Sequence, residues 1–276
     1  MSSRIHIISL GAGVQSSTMA LMATHCEIKP LPACAIFADT QWESKAVYDW
    51  LDWLETKLSF PVFRVSAGNI RSDNISARGR GHSENNERWA SLPYFVKVNG
   101  QIKEGRIRRQ CTSEYKIQPI EEYIKRHILH LKKGARLPKE PVVVQWRGIT
   151  TDEASRMKDS REPWMVVRYP LAMEHMMTRN DCLAWMKRYD YPEPPRSACI
   201  GCPFHSNHEW RKMRDNEPDE WRDAVEFDKA IRSAGGMRGD SFLHRSLRPL
   251  SEVDLSTRDR GQANLFNNEC EGMCGV

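Results

Sequence analysis

No stretch of this sequence approaches the roughly 20 consecutive apolar residues that a membrane-spanning helix requires, so the chain reads as soluble. Its opening segment, MSSRIHIISLGAG, has neither the long apolar core nor the small-residue cleavage site of a secretory signal. An internal repeat is also missing, which excludes a solenoid or an array. A strong charge of one sign is absent too: 41 basic residues face 36 acidic ones for a net charge of +5. These absences predict a cytoplasmic protein without a membrane partner. Its 276 residues are enough for one large α/β domain.

A further absence lies in SLGAGVQSS, residues 9–17, which follows the apolar run Ile5, Ile7, Ile8. It has two glycines and three serines but no acidic residue. It also lacks the Gly-Lys-Ser/Thr of a Walker A loop and the spacing of G-x-G-x-x-G. A glycine-rich turn between strand and helix presents backbone N–H groups and the positive end of a helix dipole, which together bind phosphate. An ordinary tight turn is the competing reading for these residues alone.

Strand-like and helix-like segments alternate along the first quarter of the chain. Residues 4–9, 33–38 and 61–66 read as strands, and 16–25 and 43–58 as helices. Such alternation predicts βαβ units and a parallel sheet, with ligands at the carboxyl ends of its strands. Residues 67–110 interrupt the rhythm as a basic insertion, in which YFVKVNGQIKE signals a hairpin at Asn-Gly. Helix 113–131, the strand PVVVQWRGI, a helix entered through Thr178 or Asn180, a proline-rich extended loop and helical 206–233 follow. Trp210 and Trp221 are expected core anchors there. Trp50 and Trp53 also read as core rather than as a base-stacking platform. The expected organisation is one domain over 1–255 and a polar tail over 256–276.

Positive charge is concentrated in RSDNISARGRGH, GRIRRQC and LHLKKGARLPKE. The last reads equally as a solvated face. The second, with Arg106, Arg108 and Arg109, runs straight into Cys111 and suits a phosphate-bearing ligand. Asp39, in FADTQWES, leaves a strand beside the glycine turn. There it suits a ribose, Mg²⁺ or a positively charged group, while the plain reading is a helix cap by Asp39 or Thr40.

Five segments in order, SLGAGVQSS, IFADTQWES, RRQCTSEYKIQPI, RGITTDEASRM and SACIGCPF, resemble the PAPS reductase-like branch of the PP-loop ATP pyrophosphatases. The resemblance spans residues 9–204. It implies a doubly wound, mainly parallel sheet of the adenine nucleotide α-hydrolase-like type, with nucleotide phosphates on the first turn. On that resemblance Gly11, Gly13, Ser16 and Ser17 form the PP-loop and Asp39 the acid after the second strand. Lys116 corresponds to the lysine after the first cysteine site. Arg156 closes the segment that begins at Gly148 and includes Asp152 and Glu153. Two positions depart from the pattern. Gln15 replaces an acidic residue, against a charged role such as Mg²⁺ binding there, and Thr150 stands where arginine is common, against recognition of an extra phosphate.

Eight cysteines in a cytosolic chain favour metal or redox chemistry over disulfides. Cys26, Cys34 and Cys182 fall in apolar patterns and read as small buried residues. With Cys111, the Cys199 and Cys202 pair supplies three thiolates for a [4Fe–4S] cluster. Zinc on Cys199, Cys202, His205 and His208 is the rival. Cys270 and Cys274, in a polar tail ending NNECEGMCGV, resemble the tail cysteine of sulfonucleotide reductases; Glu269 and Glu271 beside them raise a thiol pKa. His82 and His175 read as structural.

The implied function is iron–sulfur-dependent sulfur transfer: an adenine nucleotide, ATP, adenylates an acceptor, with a nucleic acid preferred, and sulfur then displaces AMP. Lys116 and neighbouring arginines stabilise pyrophosphate in this scheme, and Cys270 or Cys274 relays sulfur. The alternatives are a PAPS or adenosine phosphosulfate reductase, using a sulfonucleotide, and a non-catalytic nucleotide- or nucleic-acid-binding module. The implied partners are a sulfur donor or thiol reductant protein and a second copy of the chain in a homodimer.

Overall fold

Parallel strands buried on both faces need near-continuous apolar runs, and this chain supplies them. Every residue of β2 (Cys34–Ala38) and of the later strand β6 (Val143–Arg147) is buried. With β1 (Ile5–Leu10), β3 (Val62–Val65) and β7 (Met165–Arg168) they form a five-stranded, all-parallel sheet in the order β3-β2-β1-β6-β7. The computed structural model describes residues 4–76, 92–98, 101–106, 110–232 and 239–256.

Helices cover both faces of the sheet, as the strand–helix alternation predicts. On one face α1 (Val14–Thr24), α2 (Lys45–Glu55) and α5 (Arg179–Arg188) bury Met19, Leu21, Leu51, Leu54 and Trp185 against Leu10, Phe37 and Trp146. On the other, α4 (Gln118–Tyr123), with π-helical turns Ser113–Ile117 and Ile124–Ile128 at its ends, sets Ile120 and Ile124 on Ile7, Ile36 and Val143. Trp50 is buried and Trp53 packs against the same core. Neither is an exposed platform.

A second layer closes over the carboxyl edge of β2 and β3. It includes α3 (Ile70–Ser76), α6 (Asn207–Asn216) and α7 (Pro218–Ala230), whose cluster around Trp210 and Phe227 takes in Ile70 from α3 and Trp42 from the loop beyond β2. Trp210 is fully buried, and Trp221 packs against the cluster. The single helix expected over 206–233 is two. Pro218 cannot continue a helix, and Glu217 before it sits at φ −132, ψ 62.

The insertion is anchored. Its hairpin, β4 (Phe95–Val98) and β5 (Gln101–Arg106), is antiparallel as Asn-Gly predicts, and β4 also pairs with β8 (Asp240–Phe242) from near the C-terminus. Residues 77–91, 99–100 and 107–109, among them His82, Arg108 and Arg109, lie outside the described residues, as does the tail from 257 with Cys270 and Cys274. Cys34 and Cys182 are buried as expected, and burial pushes the Cys34 thiol up to about 11. Cys26 is exposed, because α1 ends at Thr24 and residue 26 turns the chain back at φ 60. Among the described residues no helix is long and apolar enough to cross a membrane.

Candidate functional site

The strand order reverses between β1 and β6, and in open parallel sheets a ligand crevice opens at the carboxyl ends of the strands where this happens. Two turns meet there. After β1, Gly11–Gly13 leads into α1, with Ala12 at φ 58 and the Gly11 amide donating to Ser16 Oγ at 3.1 Å. No side chain caps α1 and its first turn has no acidic residue, so its positive end is left for an anion. Trp50 Nε1 donates to Ser17 Oγ at 3.0 Å and fixes the turn from below.

After β6 the chain passes through Gly148. A Cβ on this residue would lie 2.7 Å from both N and Cα of Ser16. The two turns are therefore in backbone contact, and only glycine fits between them. Beyond it, the 3₁₀ turn Thr151–Arg156 brings Glu153 Oε2 to accept from Gln15 Nε2 at 3.2 Å, while Glu153 Oε1 pairs with Arg156 Nη1 at 2.5 Å. This explains the glutamine: an acid at 15 would face the buried Glu153 carboxylate. The Glu153 carboxylate thus bridges Gln15, in the first turn of α1, and the Arg156 guanidinium. Asp152 Oδ2 accepts from the Arg179 amide at 3.3 Å, tying the segment to the start of α5.

At the end of β2, Asp39 turns its Oδ1 to the Gln41 amide at 2.7 Å and the Tyr48 hydroxyl at 2.8 Å. That hydrogen bond and burial hold the Tyr48 phenol well above its usual pKa, burial being the larger cause. Neither Asp39 nor Thr40 caps α2, whose N-cap is Ser44. Asp39 thus shapes a tight turn around Gln41, at φ 57. The acid that the sequence reading overlooked is Glu43, four residues on. Its Oε1 accepts from Thr40 Oγ1 at 3.0 Å, lies 3.6 Å from Lys116 Nζ and accepts from Cys199 Sγ at 3.6 Å. The side chains of Glu43 and Lys116 are 0% and 5% exposed. Lys116 accordingly stands in a buried ion pair one strand away from the glycine turn.

Cys199 belongs to the same knot. Its sulfur lies 3.3 Å from Thr40 Oγ1, and its backbone bridges to Glu43 while the Ile200 amide donates to the Trp42 carbonyl at 2.9 Å. Gly201 packs on the Trp42 ring, where a Cβ would come within 2.1 Å. The Cys199–Cys202 turn is therefore stitched onto the loop after β2. Cys111 borders the same apolar cluster as Cys199 and Cys202.

Among the described residues, no group of three or more His, Cys, Asp or Glu side chains comes together to hold a metal ion. His205 directs Nε2 at the Cys199 carbonyl at 3.0 Å, and burial, with Arg196 adding to it, holds its pKa down to about 3. His208 is exposed.

No family model matches the chain. Among curated proteins it is similar to an uncharacterized 37.8 kDa protein in the gpa 5′ region of Escherichia phage 186, 24% identical over 283 residues, covering 88% of this chain and 80% of that protein. Among solved structures it is similar to phosphoadenylyl-sulfate (PAPS) reductase from Candida auris in its phosphate complex. That match has a TM-score of 0.42 and 13% identity, and covers 69% of this chain and 75% of the other.

Proposed function

We propose that the chain is a PP-loop enzyme of the PAPS reductase-like kind. It binds an adenine nucleotide with its phosphates on the turn Gly11–Ser17, and it adenylates an acceptor that is then thiolated. The carrying observation is the backbone contact between Gly148 and Ser16 at the point where the strand order reverses, beneath an uncapped helix N-terminus. An anion on that turn receives backbone N–H groups and the helix dipole. Arg156, oriented by Glu153, supplies the nearby cation.

In the reaction an acceptor oxygen attacks the α-phosphorus of ATP and pyrophosphate leaves. The turn stabilises the charge that builds on the departing phosphates. A sulfur nucleophile supplied by a donor protein then displaces AMP, which leaves with the acceptor oxygen. The basic sequence around 106–109 supports a nucleic acid as acceptor.

The test is a calorimetric titration with ATP and a pyrophosphate-release assay, on wild type and Gly148→Ala. Wild type binds ATP, and the alanine, which collides with backbone, lowers affinity at least tenfold. Equal binding by the two proteins would refute the placement. Release of sulfite from a sulfonucleotide with a thiol reductant, and no pyrophosphate from ATP, would replace the transferase with a reductase.

A further inference from the structure

Among the described residues, six buried side-chain atoms without a hydrogen-bond partner lie in β1, in β6, in the segments that follow β2 and β6, and in the helical turn just before Ser113. They are Ser9 Oγ, Glu43 Oε2, Thr112 Oγ1, Gln145 Nε2, Thr150 Oγ1 and Asp152 Oδ1. Buried polar atoms are rarely left this way, because each forfeits its hydration without return; a local group of them marks the place of a ligand or ordered water. The set is chemically mixed. Two carboxylate oxygens only accept, the Gln145 amide nitrogen only donates, and the hydroxyls do either. Inorganic phosphate alone would meet the two carboxylates unfavourably, whereas a neutral polar group with both donors and acceptors suits the set.

Glu43 is the sharpest member. One carboxylate oxygen is occupied by Thr40, Lys116 and Cys199, and the other has no hydrogen-bond partner among the described residues, although the side chain is fully buried. Gln145 is similar. Its oxygen accepts from Arg147 Nε at 3.1 Å while its nitrogen is left over. The loop carrying Glu43 follows β2, and β2 pairs with β1 in the register Leu10↔Phe37. Adjacent strands lie about 4.8 Å apart. Glu43 therefore leaves the sheet one strand from the glycine turn, within the reach of a nucleoside whose phosphates sit on that turn.

We infer that Glu43, rather than Asp39, is the acid that recognises the nucleoside: Oε2 accepts a hydrogen bond from a neutral donor on it, either a ribose hydroxyl or the exocyclic amine of the base. This rests on the nucleotide reading above. Lys116 and Thr40 clamp Oε1 so that Oε2 is presented in one orientation, which makes Glu43 a specificity-determining residue and Lys116 its positioning partner.

In Glu43→Gln the lysine and the Thr40 hydroxyl keep the remaining oxygen at the Oε1 position. The amide –NH₂ then faces the donor of the ligand. Titration with ATP, 2′-deoxyATP, 3′-deoxyATP, inosine triphosphate and pyrophosphate reads the result, with thermal melting as the check on folding. Affinity for ATP falls about 10- to 100-fold in the variant, as for loss of a hydrogen bond to a charged group, while pyrophosphate binds as before. One analogue, either a deoxynucleotide (hydroxyl) or inosine triphosphate (amine), binds the wild type more weakly than ATP does, and the variant no longer makes that distinction.

Unchanged ATP affinity in Glu43→Gln overturns the assignment, as does an equal loss for ATP and pyrophosphate, or a wild type that treats all the analogues alike. A wild type that binds neither ATP nor pyrophosphate overturns the nucleotide reading itself. Should Glu43→Gln not fold, Glu43→Asp keeps the charge beside Lys116 and shortens its reach. It shows the same selective loss, or the assignment fails.

Discussion

Gly201 shows how one missing methyl group joins two layers of this protein. A Cβ there would stand 2.1 Å from the Trp42 ring, and that ring also packs on Phe227 at 4.5 Å between centroids. Gly201→Ala is expected to cost about 1–3 kcal/mol of stability, the range for overpacking a filled core, read as a lowered urea midpoint. His244 makes a second prediction. It is buried between Asn207 Oδ1 at 2.9 Å and Ser246 Oγ at 2.7 Å, and burial first, then Arg245, hold its pKa down to about 4. The unfolded chain takes up this proton near pH 6.5 and the folded one does not. Its contribution is therefore complete above about pH 6.5 and lost as the pH falls towards 4. The urea midpoint of the wild type should fall over that interval, and less steeply in His244→Asn. Both residues were visible as letters, but their burial and their partners Trp42 and Asn207 could not be read from local sequence, because those contacts are distant in the chain.

Among the elements, α5 is one whose start was legible in advance. Thr178 accepts from the Asp181 amide at 3.2 Å, and Asp181 accepts from the Thr178 amide at 2.8 Å, a reciprocal capping box. Thr178→Ala should cost about 1 kcal/mol, measured by denaturant unfolding. It should also loosen the 151–156 turn, since the Thr151 amide donates to the Met177 carbonyl at 2.9 Å. Strands β1, β2 and β6 were equally legible, because a strand buried on both faces writes a near-continuous apolar run, and the edge strand β3 was legible from its alternation with the helices. The edge strand β7 and the short strand β8 were missed: β8 has three residues and exists only through its pairing with β4. The helical span over 206–233 was read as unbroken although Pro218 was in plain view; its helical periodicity on both sides outweighed the one residue that ends it.

On the scale of the whole molecule, Asp228 closes the C-terminal segment onto the second layer. Its carboxylate accepts from the Leu243 amide at 2.8 Å and the Leu250 amide at 3.0 Å, and it pairs with Arg232. Asp228→Ala removes all three at once and is expected to cost about 3–5 kcal/mol, as for breaking a buried charge pair. Limited proteolysis should then cut within 240–256 before it cuts the parallel sheet. The same layer carries Cys199 and Cys202 to the end of β2, so the candidate site is shared between the sheet and the C-terminal third of the chain.

Local chemistry in the sequence was enough to establish an α/β protein with a parallel sheet and a glycine turn at the head of its first helix, because periodicity and turn residues act over a few positions. Tertiary structure alone decided what surrounds each of the two acids at the end of β2. Asp39 spends itself on a neighbouring amide and a tyrosine, whereas Glu43 meets Lys116 and Cys199 from 73 and 156 positions away. Burial and pairing of that kind depend on segments that only the packed fold brings together, and a carboxylate's role follows from what surrounds it.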